Sequence, residues 1–166
     1  AVQIRKQIPT GAGLGGGSSD AAATLVALER LFGLDLPPRL RHEAATAVGS
    51  DVPFFLWPGP QLAMGKGQLL KDVRLAAPLS LVIAVPETSL STATVYGWRD
   101  EDAQVTLADF VPEARMLSSR ISAAHTLHDI AALVRNDLEA SVVARRPEVG
   151  ALRDRLLAEG ALAAAM

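Results

Sequence analysis

A run of glycines and serines near the start of the chain is the first place where the sequence could do chemistry. Five glycines fall within residues 11–17, in the stretch PTGAGLGGGSSD that begins at Pro9. Several bare backbone amides can approach one ligand there, and a helix that follows would add the positive end of its dipole. This combination favours a compact anion such as phosphate.

Two known glycine fingerprints do not fit this stretch. Gly11, Gly13 and Gly16 have the spacing of the dinucleotide-binding motif, but a second helix and a Pro37-Pro38 turn stand where its second strand and acidic residue belong. A Walker loop is excluded because no Lys-Ser or Lys-Thr pair follows the last glycine. The remaining alternative is a flexible turn, which three adjacent glycines would make costly in conformational entropy.

Polar residues elsewhere have a structural and a chemical interpretation. Asp51 precedes Val52-Pro53, so spacing alone favours a helix N-cap over a catalytic carboxylate. Ser18 or Ser19 is expected to cap the helix after the glycines. The cluster His125-x-x-His128-Asp129 has no third metal ligand in register, which favours a helix start over a metal site.

Composition limits the class of protein. The 166 residues carry a formal net charge of -2 with scattered cations, which argues against a nucleic-acid partner. There is no cysteine, and no apolar run is long enough to span a bilayer, so we expect a cytoplasmic protein without membrane partners. The chain begins in a strand-like pattern and stops in an apolar run, and both ends are expected to cut through an element.

Hydrophobic periodicity predicts the elements that must position these residues. We expect strands at residues 1–8 and 79–85 and a hairpin of residues 61–64 and 68–73. A polar loop is expected after Pro86. Helices are expected after the glycines up to Gly33 and at 39–48, 107–116, 126–145 and 147–158, with a short apolar element at 52–56. Strands followed by helices indicate an α+β fold.

Three segments, in order, resemble one kinase superfamily. They are the loop from Pro9 to Ser19, the segment VGSDVPFF that contains Asp51, and the stretch Asn136-Asp137-Leu138-Glu139. The loop resembles the ATP-binding motif of the GHMP kinases, named for galactokinase, homoserine kinase, mevalonate kinase and phosphomevalonate kinase. The resemblance implies a partial two-lobed GHMP-kinase fold. Its expected parts are a ribosomal protein S5 domain 2-like, ATP-binding lobe at residues 1–85 and a ferredoxin-like lobe at 86–166.

The resemblance also implies roles for particular residues. Asp51 would orient or deprotonate the acceptor hydroxyl, and Thr92 and Tyr96 would bind substrate, with the tyrosine ring packing on a cytosine. Without the resemblance Tyr96 is a surface or core tyrosine. ATP would be bound by Lys6, Pro9, Gly11, Gly13, Leu14, Gly15, Gly16, Gly17, Ser18 and Ser19, with Mg²⁺ close to the two serines.

Lys6 and Asp20 are charged residues on either side of the glycine loop. Lys6 has the alternative of a solvated strand face. Asp20 stands where the family commonly has asparagine, in the expected first turn of the helix, where it would suit the helix dipole but repel phosphate.

The triple glycine with Ser-Ser is most similar to the member that phosphorylates the 2-hydroxyl of cytidine diphosphate methylerythritol, in non-mevalonate isoprenoid biosynthesis. Another small-molecule kinase of the superfamily and a catalytically inactive nucleotide-binding fragment are the alternatives. Family members have a preceding lysine motif and a following glycine-rich segment, which these 166 residues lack, so we expect negligible turnover from them alone. Oligomeric state does not follow from the sequence.

Overall fold

The structure is a computed structural model that describes residues 2–9, 11–75, 77–87, 90–102 and 110–166, of which 110–115 are described by their backbone alone. The chain divides into two compact units, Ala1–Val73 and Arg74–Met166. The predicted lobe boundary between residues 85 and 86 stays a prediction. None of the described helices is long and apolar enough to cross a membrane.

The first unit holds two α-helices, a short 3-10 helix and a hairpin. Its core is formed where Ala22, Ala45 and Val52 meet, each 2% exposed or less. The elements in chain order are α1 (Gly16–Phe32), α2 (Pro38–Val48), the 3-10 helix Pro53–Leu56, β1 (Gln61–Met64) and β2 (Leu69–Asp72).

Local sequence explains the ends of these elements. Gly33 ends α1 in the left-handed conformation at φ 61°, and Gly49 follows α2 as its C-cap, both as predicted. The hairpin is confirmed as an antiparallel pair with Met64 opposite Leu69. An ion pair joins the two helices, because Arg41 Nε donates to Glu29 Oε1 at 2.8 Å and to Oε2 at 3.0 Å.

The second unit is helical in its described part. Val95 and Val142 are its buried apolar side chains on packed helices, and the absence of a side chain at Gly150 lets its helix approach Val143 closely. The helices are α3 (Thr92–Asp102), α4 (Phe110–Ala123), α5 (Leu127–Ala131), α6 (Glu139–Arg145) and α7 (Pro147–Ala158).

An arginine on α6 fixes that helix to α3. Arg145 Nη1 donates to Asp102 Oδ2 at 2.7 Å and Nη2 to Asp102 Oδ1 at 3.0 Å, while a further bond reaches Glu101 at 3.1 Å. The guanidinium carbon lies 5.4 Å from the ring centroid of Trp98. The hydrogen bonds from Arg145, and after them one from the Ser141 side chain, lower the pKa of the Asp102 carboxyl to about 2.

Two predicted strands are absent from the described residues. Residues 2–8 and 79–85 carry no regular secondary structure, and Leu81 and Val82 are 79% and 80% exposed. A strand needs a neighbouring strand for its amides and carbonyls, and the sheet found in the described ranges contains only β1 and β2. Residue 1 of the first predicted strand lies outside the described residues.

The helix predictions beyond Pro86 are correct only in part. Residues 92–102 form α3 where a loop was predicted, because Ser91 Oγ accepts from the amide of Thr94 at 3.0 Å and starts the helix. The helix predicted at 126–145 is interrupted at residues 132–138, between α5 and α6. Of the helix predicted at 107–116, residues 107–109 lie outside the described residues. The last helix, Pro147–Ala158, is confirmed with Gly160 beyond it at φ 99°.

Candidate functional site

Three glycines in the left-handed region shape the loop before α1. Gly11, Gly13 and Gly15 have φ values of 75°, 69° and 64°, which residues with a Cβ rarely adopt. Gly15 is the N-cap of α1, and its carbonyl accepts from the amide of Ser19 at 2.9 Å. The amide of Ser19 is thus the first donor within the helix. The amides of the helical residues before Ser19 have no partner within the helix, so they are available to an anion.

The predicted serine cap is wrong. The helix begins at Gly16, before both serines, and its N-cap glycine makes no side-chain cap bond. The glycine conformation turns the chain into the helix earlier than a serine cap would, so Ser18 and Ser19 lie within the first turns of α1. Asp20 lies beyond the first turn, not in it as expected.

The glycines of the loop are of two kinds. A Cβ at Gly15 would lie 2.7 Å from Phe55 Cζ, and one at Gly16 would lie 2.9 Å from Ile8 Cγ2. These two glycines are needed for packing. A Cβ at Gly13 or Gly17 would meet nothing within 4 Å, so these two border open space that a ligand could fill.

A lysine and an aspartate meet across the loop. Lys6 Nζ donates to Asp20 Oδ2, and the two side chains are 40% and 34% exposed. The same Nζ would lie 3.4 Å from a Cβ at Gly16, so the ammonium is beside the N-terminus of α1. The loop therefore combines helix amides with a cation, and the cation is paired with a carboxylate.

The face of α1 that follows the loop borders an open depression of about 350 Å³. Ser19 lies at its loop end and Arg30 at its other end, with alanines between them and Phe55 beside them. The phenyl ring therefore contacts both the glycine loop and this face.

Asp51 is exposed and precedes the 3-10 helix Pro53–Leu56. The cap interpretation is wrong, because Val52 holds the N-cap position and no side-chain cap bond is formed. Among the described residues the carboxylate accepts one hydrogen bond, from Ser50 Oγ at 3.4 Å. A Cβ at Gly67 would lie 2.8 Å from Asp51 Oδ1, so the glycine of the hairpin turn makes room for this carboxylate.

Thr92 and Tyr96 belong to the second unit and lie on α3. They are four residues apart and share one face of the helix, while Val95 is the buried residue. Tyr96 is 54% exposed, so its ring is available to a ligand. Their roles in substrate binding stay predictions.

The histidine cluster forms a helix start, as the sequence favoured. Thr126 caps α5 and accepts from the amide of Asp129 at 3.1 Å, while Asp129 accepts from the amides of His125 and Thr126 at 2.9 Å each. Those bonds, that from His125 first, lower the pKa of Asp129. In the part of the chain that the structure describes, no group of three or more histidines, cysteines or carboxylates could hold a metal.

The stretch Asn136–Glu139 holds a distant backbone segment. Asn136 Nδ2 donates to the carbonyl of Met166 at 2.6 Å, and the amide of Met166 donates to Glu139 Oε2 at 2.8 Å. The second oxygen of Glu139 accepts from Arg153 Nη1 at 2.5 Å. The carbonyl and the amide of Met166 are thus both hydrogen-bonded by side chains of the stretch Asn136–Glu139.

Sequence reasoning missed two contacts of the loop. Phe55 was assigned no contact with Gly15, and Asp20 was not expected to pair with Lys6. A signal for the first was available, because an aromatic pair directly follows the Asp51 segment. The second had no local signal, since the partners are fourteen positions apart.

Comparison with known proteins defines the class. Residues 1–59 match the family model described as GHMP kinases N terminal domain. A solved structure aligns with a TM-score of 0.62 at 30% identity, covering 93% of this chain and 53% of its own. The fold of the chain is therefore that of the GHMP kinases, as predicted.

The similarity is also specific within that class. The solved structure is that of a 4-(cytidine 5'-diphospho)-2C-methyl-D-erythritol kinase. A 4-diphosphocytidyl-2-C-methyl-D-erythritol kinase of Symbiobacterium thermophilum is 40% identical over 168 residues, 99% of this chain and 57% of the relative. The enzyme of the same name from Geobacter sulfurreducens is 37% identical over 165 residues, 99% of this chain and 56% of the relative. The chain thus spans somewhat more than half the length of these relatives.

Proposed function

We propose that the chain supplies the ATP-binding loop and the catalytic carboxylate of a kinase that phosphorylates the 2-hydroxyl of 4-diphosphocytidyl-2-C-methyl-D-erythritol. The observation that carries the proposal is 40% identity over 99% of the chain to an enzyme of that name. The open glycine loop at the N-terminus of α1 is consistent with it. The identities favour this substrate over other small alcohols of the superfamily.

The loop fits the phosphates of ATP. An α-helix N-terminus presents the equivalent of about half a positive charge, and its first amides have no partner within the helix. Gly13 and Gly17 leave space for phosphate oxygens, since a Cβ at either would meet no atom within 4 Å. Lys6 adds a full positive charge beside Gly16. Together these groups offset part of the charge of a triphosphate, and Lys6 contributes fully only when it is released from Asp20.

Mg²⁺ would be held mainly by the nucleotide in this proposal. Ser18 and Ser19 offer hydroxyl oxygens, which suit a hard cation, but the described residues hold no cluster of three metal-binding side chains. Magnesium commonly keeps several waters and binds through substrate phosphates with few protein ligands. The bound cation would supply neutralisation of charge on the transferred phosphoryl group.

Asp51 would position the acceptor hydroxyl and take its proton. The carboxylate is exposed and serves no cap, and from the residues that the structure describes it accepts a single long bond, donated by Ser50. It is therefore free to accept a hydrogen bond from a substrate. Phosphoryl transfer needs positioning and charge neutralisation more than covalent participation by the protein.

Thr92 and Tyr96 would bind the cytidine part of the acceptor. Their shared face on α3 offers a hydroxyl beside an exposed aromatic ring. Stacking on such a ring contributes about 1–3 kcal/mol per base in nucleic-acid complexes. The cytoplasmic location and the absence of nucleic-acid and membrane partners stay predictions.

The test replaces the matching segment of the Symbiobacterium thermophilum relative with these 166 residues, so that a complete kinase carries this chain's own loop and carboxylate. Formation of the phosphorylated cytidine product is followed by ³¹P NMR. We expect Asp51→Asn to lower turnover by on the order of 10²–10⁴ while ATP binding persists. Ser50→Ala is the matched control and should retain most of the rate.

Two results would contradict the proposal. An active chimera whose Asp51→Asn variant keeps the parent rate would remove the carboxylate from the chemistry. A correctly folded chimera that binds ATP but phosphorylates a different alcohol in preference would overturn the substrate.

A further inference from the structure

Lys6 beside the glycine loop forms an ion pair with Asp20, so the Asp20 carboxylate competes with a bound anion for the lysine. Lys6 is the basic side chain beside Gly16, at the end of α1 where an anion is favoured. Its Nζ donates to Asp20 Oδ2, and Asp20 lies one helical turn inside α1 from that end. The Asp20 carboxylate is thus paired with the same ammonium group, that of Lys6, to which a phosphate would bind.

The position of Asp20 makes this competition unusual. Acidic side chains favour the first turn of a helix, where they offset the macrodipole, but Asp20 lies beyond the first turn of α1. Its side chain accepts from Lys6 through Oδ2, and its backbone carbonyl accepts from Thr24 Oγ1 at 2.8 Å. The Asp20 carboxylate therefore interacts with Lys6 and does not offset the dipole at the start of α1.

The exposure of the pair indicates that it can open. The two side chains are 40% and 34% exposed, and ion pairs this accessible stabilise a protein only weakly. A triphosphate offers the lysine several charged oxygens, together with the helix amides, so exchange of partners is favourable. No backbone rearrangement is required, because Lys6 is outside the described helices and strands and has a flexible side chain.

We propose that Asp20 is an affinity-setting residue: it holds Lys6 while the loop is free of nucleotide and releases it to a phosphate of ATP when the nucleotide binds. The inference rests on the proposed ATP site and adds to it a built-in counter-ion. The free energy gained when Lys6 binds a phosphate is reduced by the free energy needed to break the Lys6–Asp20 pair. Removing the carboxylate should then tighten ATP binding.

The experiment is a double-mutant cycle on the 166-residue chain with ATP and Mg²⁺, measured by isothermal titration calorimetry. The variants are Asp20→Asn, Lys6→Gln and the two combined, with thermal unfolding to verify that each is folded. We expect Asp20→Asn to lower the Kd for ATP in the presence of Lys6. The same change should have an effect about two- to fivefold smaller in the Lys6→Gln background, where only repulsion between carboxylate and phosphate is removed.

Each alternative gives a different pattern. An equal effect of Asp20→Asn in both backgrounds would overturn the inference, because it would mean that the pair persists in the complex. Weaker ATP binding by Asp20→Asn would also overturn it and would make the carboxylate a supporting group of the site. Absence of ATP binding by the parent chain would contradict the proposed ATP site itself, and a parent that binds ATP while the cycle shows no coupling would contradict only the counter-ion role.

Discussion

Replacing glycines one at a time should separate the packing role of the loop from its binding role. In Gly15→Ala the new Cβ would be placed 2.7 Å from Phe55 Cζ, in a backbone conformation with φ 64°. The left-handed conformation costs an alanine about 1–2 kcal/mol, and overpacking costs about 1–3 kcal/mol. One small shift of the backbone relieves part of both, so we expect a loss of about 2–4 kcal/mol in the free energy of unfolding.

Gly17→Ala is the matched control for stability. Gly17 lies within α1, and a Cβ there would meet no atom within 4 Å. Alanine is a better helix former than glycine by about 0.8–1 kcal/mol in a helix interior, so stability should stay the same or rise. The methyl group would enter the space assigned to phosphate, and ATP affinity should fall by on the order of tenfold, about 1.4 kcal/mol.

The assay uses urea unfolding of the first unit. The chain has two tryptophans, Trp57 and Trp98, one in each unit. A Trp98→Phe background makes Trp57 fluorescence report on the unit that holds the loop. A Gly15→Ala variant as stable as its parent would refute the packing role, and a Gly17→Ala variant with unchanged ATP affinity would refute the assignment of the open space.

Gly16→Val is a poor test of phosphate binding. A Cβ at Gly16 would lie 2.9 Å from Ile8 Cγ2 and 3.1 Å from Ile8 Cβ. A valine there disturbs the packing of the loop before it reaches a ligand. Loss of ATP binding in that variant would therefore not distinguish between the two roles.

Three further predictions concern the second unit. In the chimeric kinase, Tyr96→Ala should raise KM for the cytidine substrate by on the order of tenfold or more and leave KM for ATP unchanged, and equal rises would make the tyrosine structural. Hydrogen bonding to Arg145 is the largest cause that lowers the pKa of Asp102 from 3.8 to about 2. The contact between α3 and α6 should therefore lose stability as the pH decreases from 3.8 to 2. Asp102→Asn should flatten this dependence in acid unfolding curves. Glu139→Ala should accelerate hydrogen exchange of the Met166 amide by up to about tenfold, and an unchanged exchange rate would refute this contact.

The direction of the pH dependence follows from which state holds the proton more tightly. The folded pKa of Asp102 is below its ordinary value of 3.8. The unfolded chain therefore binds the proton first as pH falls, and the stabilising contribution is complete above 3.8 and lost toward 2. A stability that rises as pH falls through this range would contradict the assigned bonds.

Elements whose ends are fixed locally were predictable from the sequence. Gly33 ends α1 through its left-handed conformation, and Pro147 begins α7 because its ring fixes a helical φ, while Gly49 follows α2 as the sequence predicted. The hairpin around residues 65–67 was predictable for the same reason, since Gly65 and Gly67 have φ values of 70° and 108°.

Elements that depend on distant partners were not predictable in this way. The alternating segment 2–8 and the apolar segment 79–85 have strand-like sequences, but a strand is completed by hydrogen bonds to a neighbour that the pattern does not identify. The helix at Thr92–Asp102 was missed because its start is rich in serine and threonine, which favour loops and caps alike.

The candidate site shows the same division. The glycine loop was identified from its own composition, and its resemblance to the GHMP kinases agrees with the family match of residues 1–59. Which glycines are packed and which are open depends on Ile8 and Phe55, and their approach to the loop is a tertiary contact. The roles of the individual residues stay predictions until binding is measured.

The most direct test of the ATP site is a titration of the ¹⁵N-labelled 166-residue chain with ATP and Mg²⁺, followed through the backbone amides. The proposed site predicts saturable shifts that are largest for the amides of residues 13–19, with the Gly17→Ala variant giving the same pattern at higher ATP concentration. Saturable shifts centred elsewhere in the chain, with the amides of residues 13–19 unchanged, would contradict it.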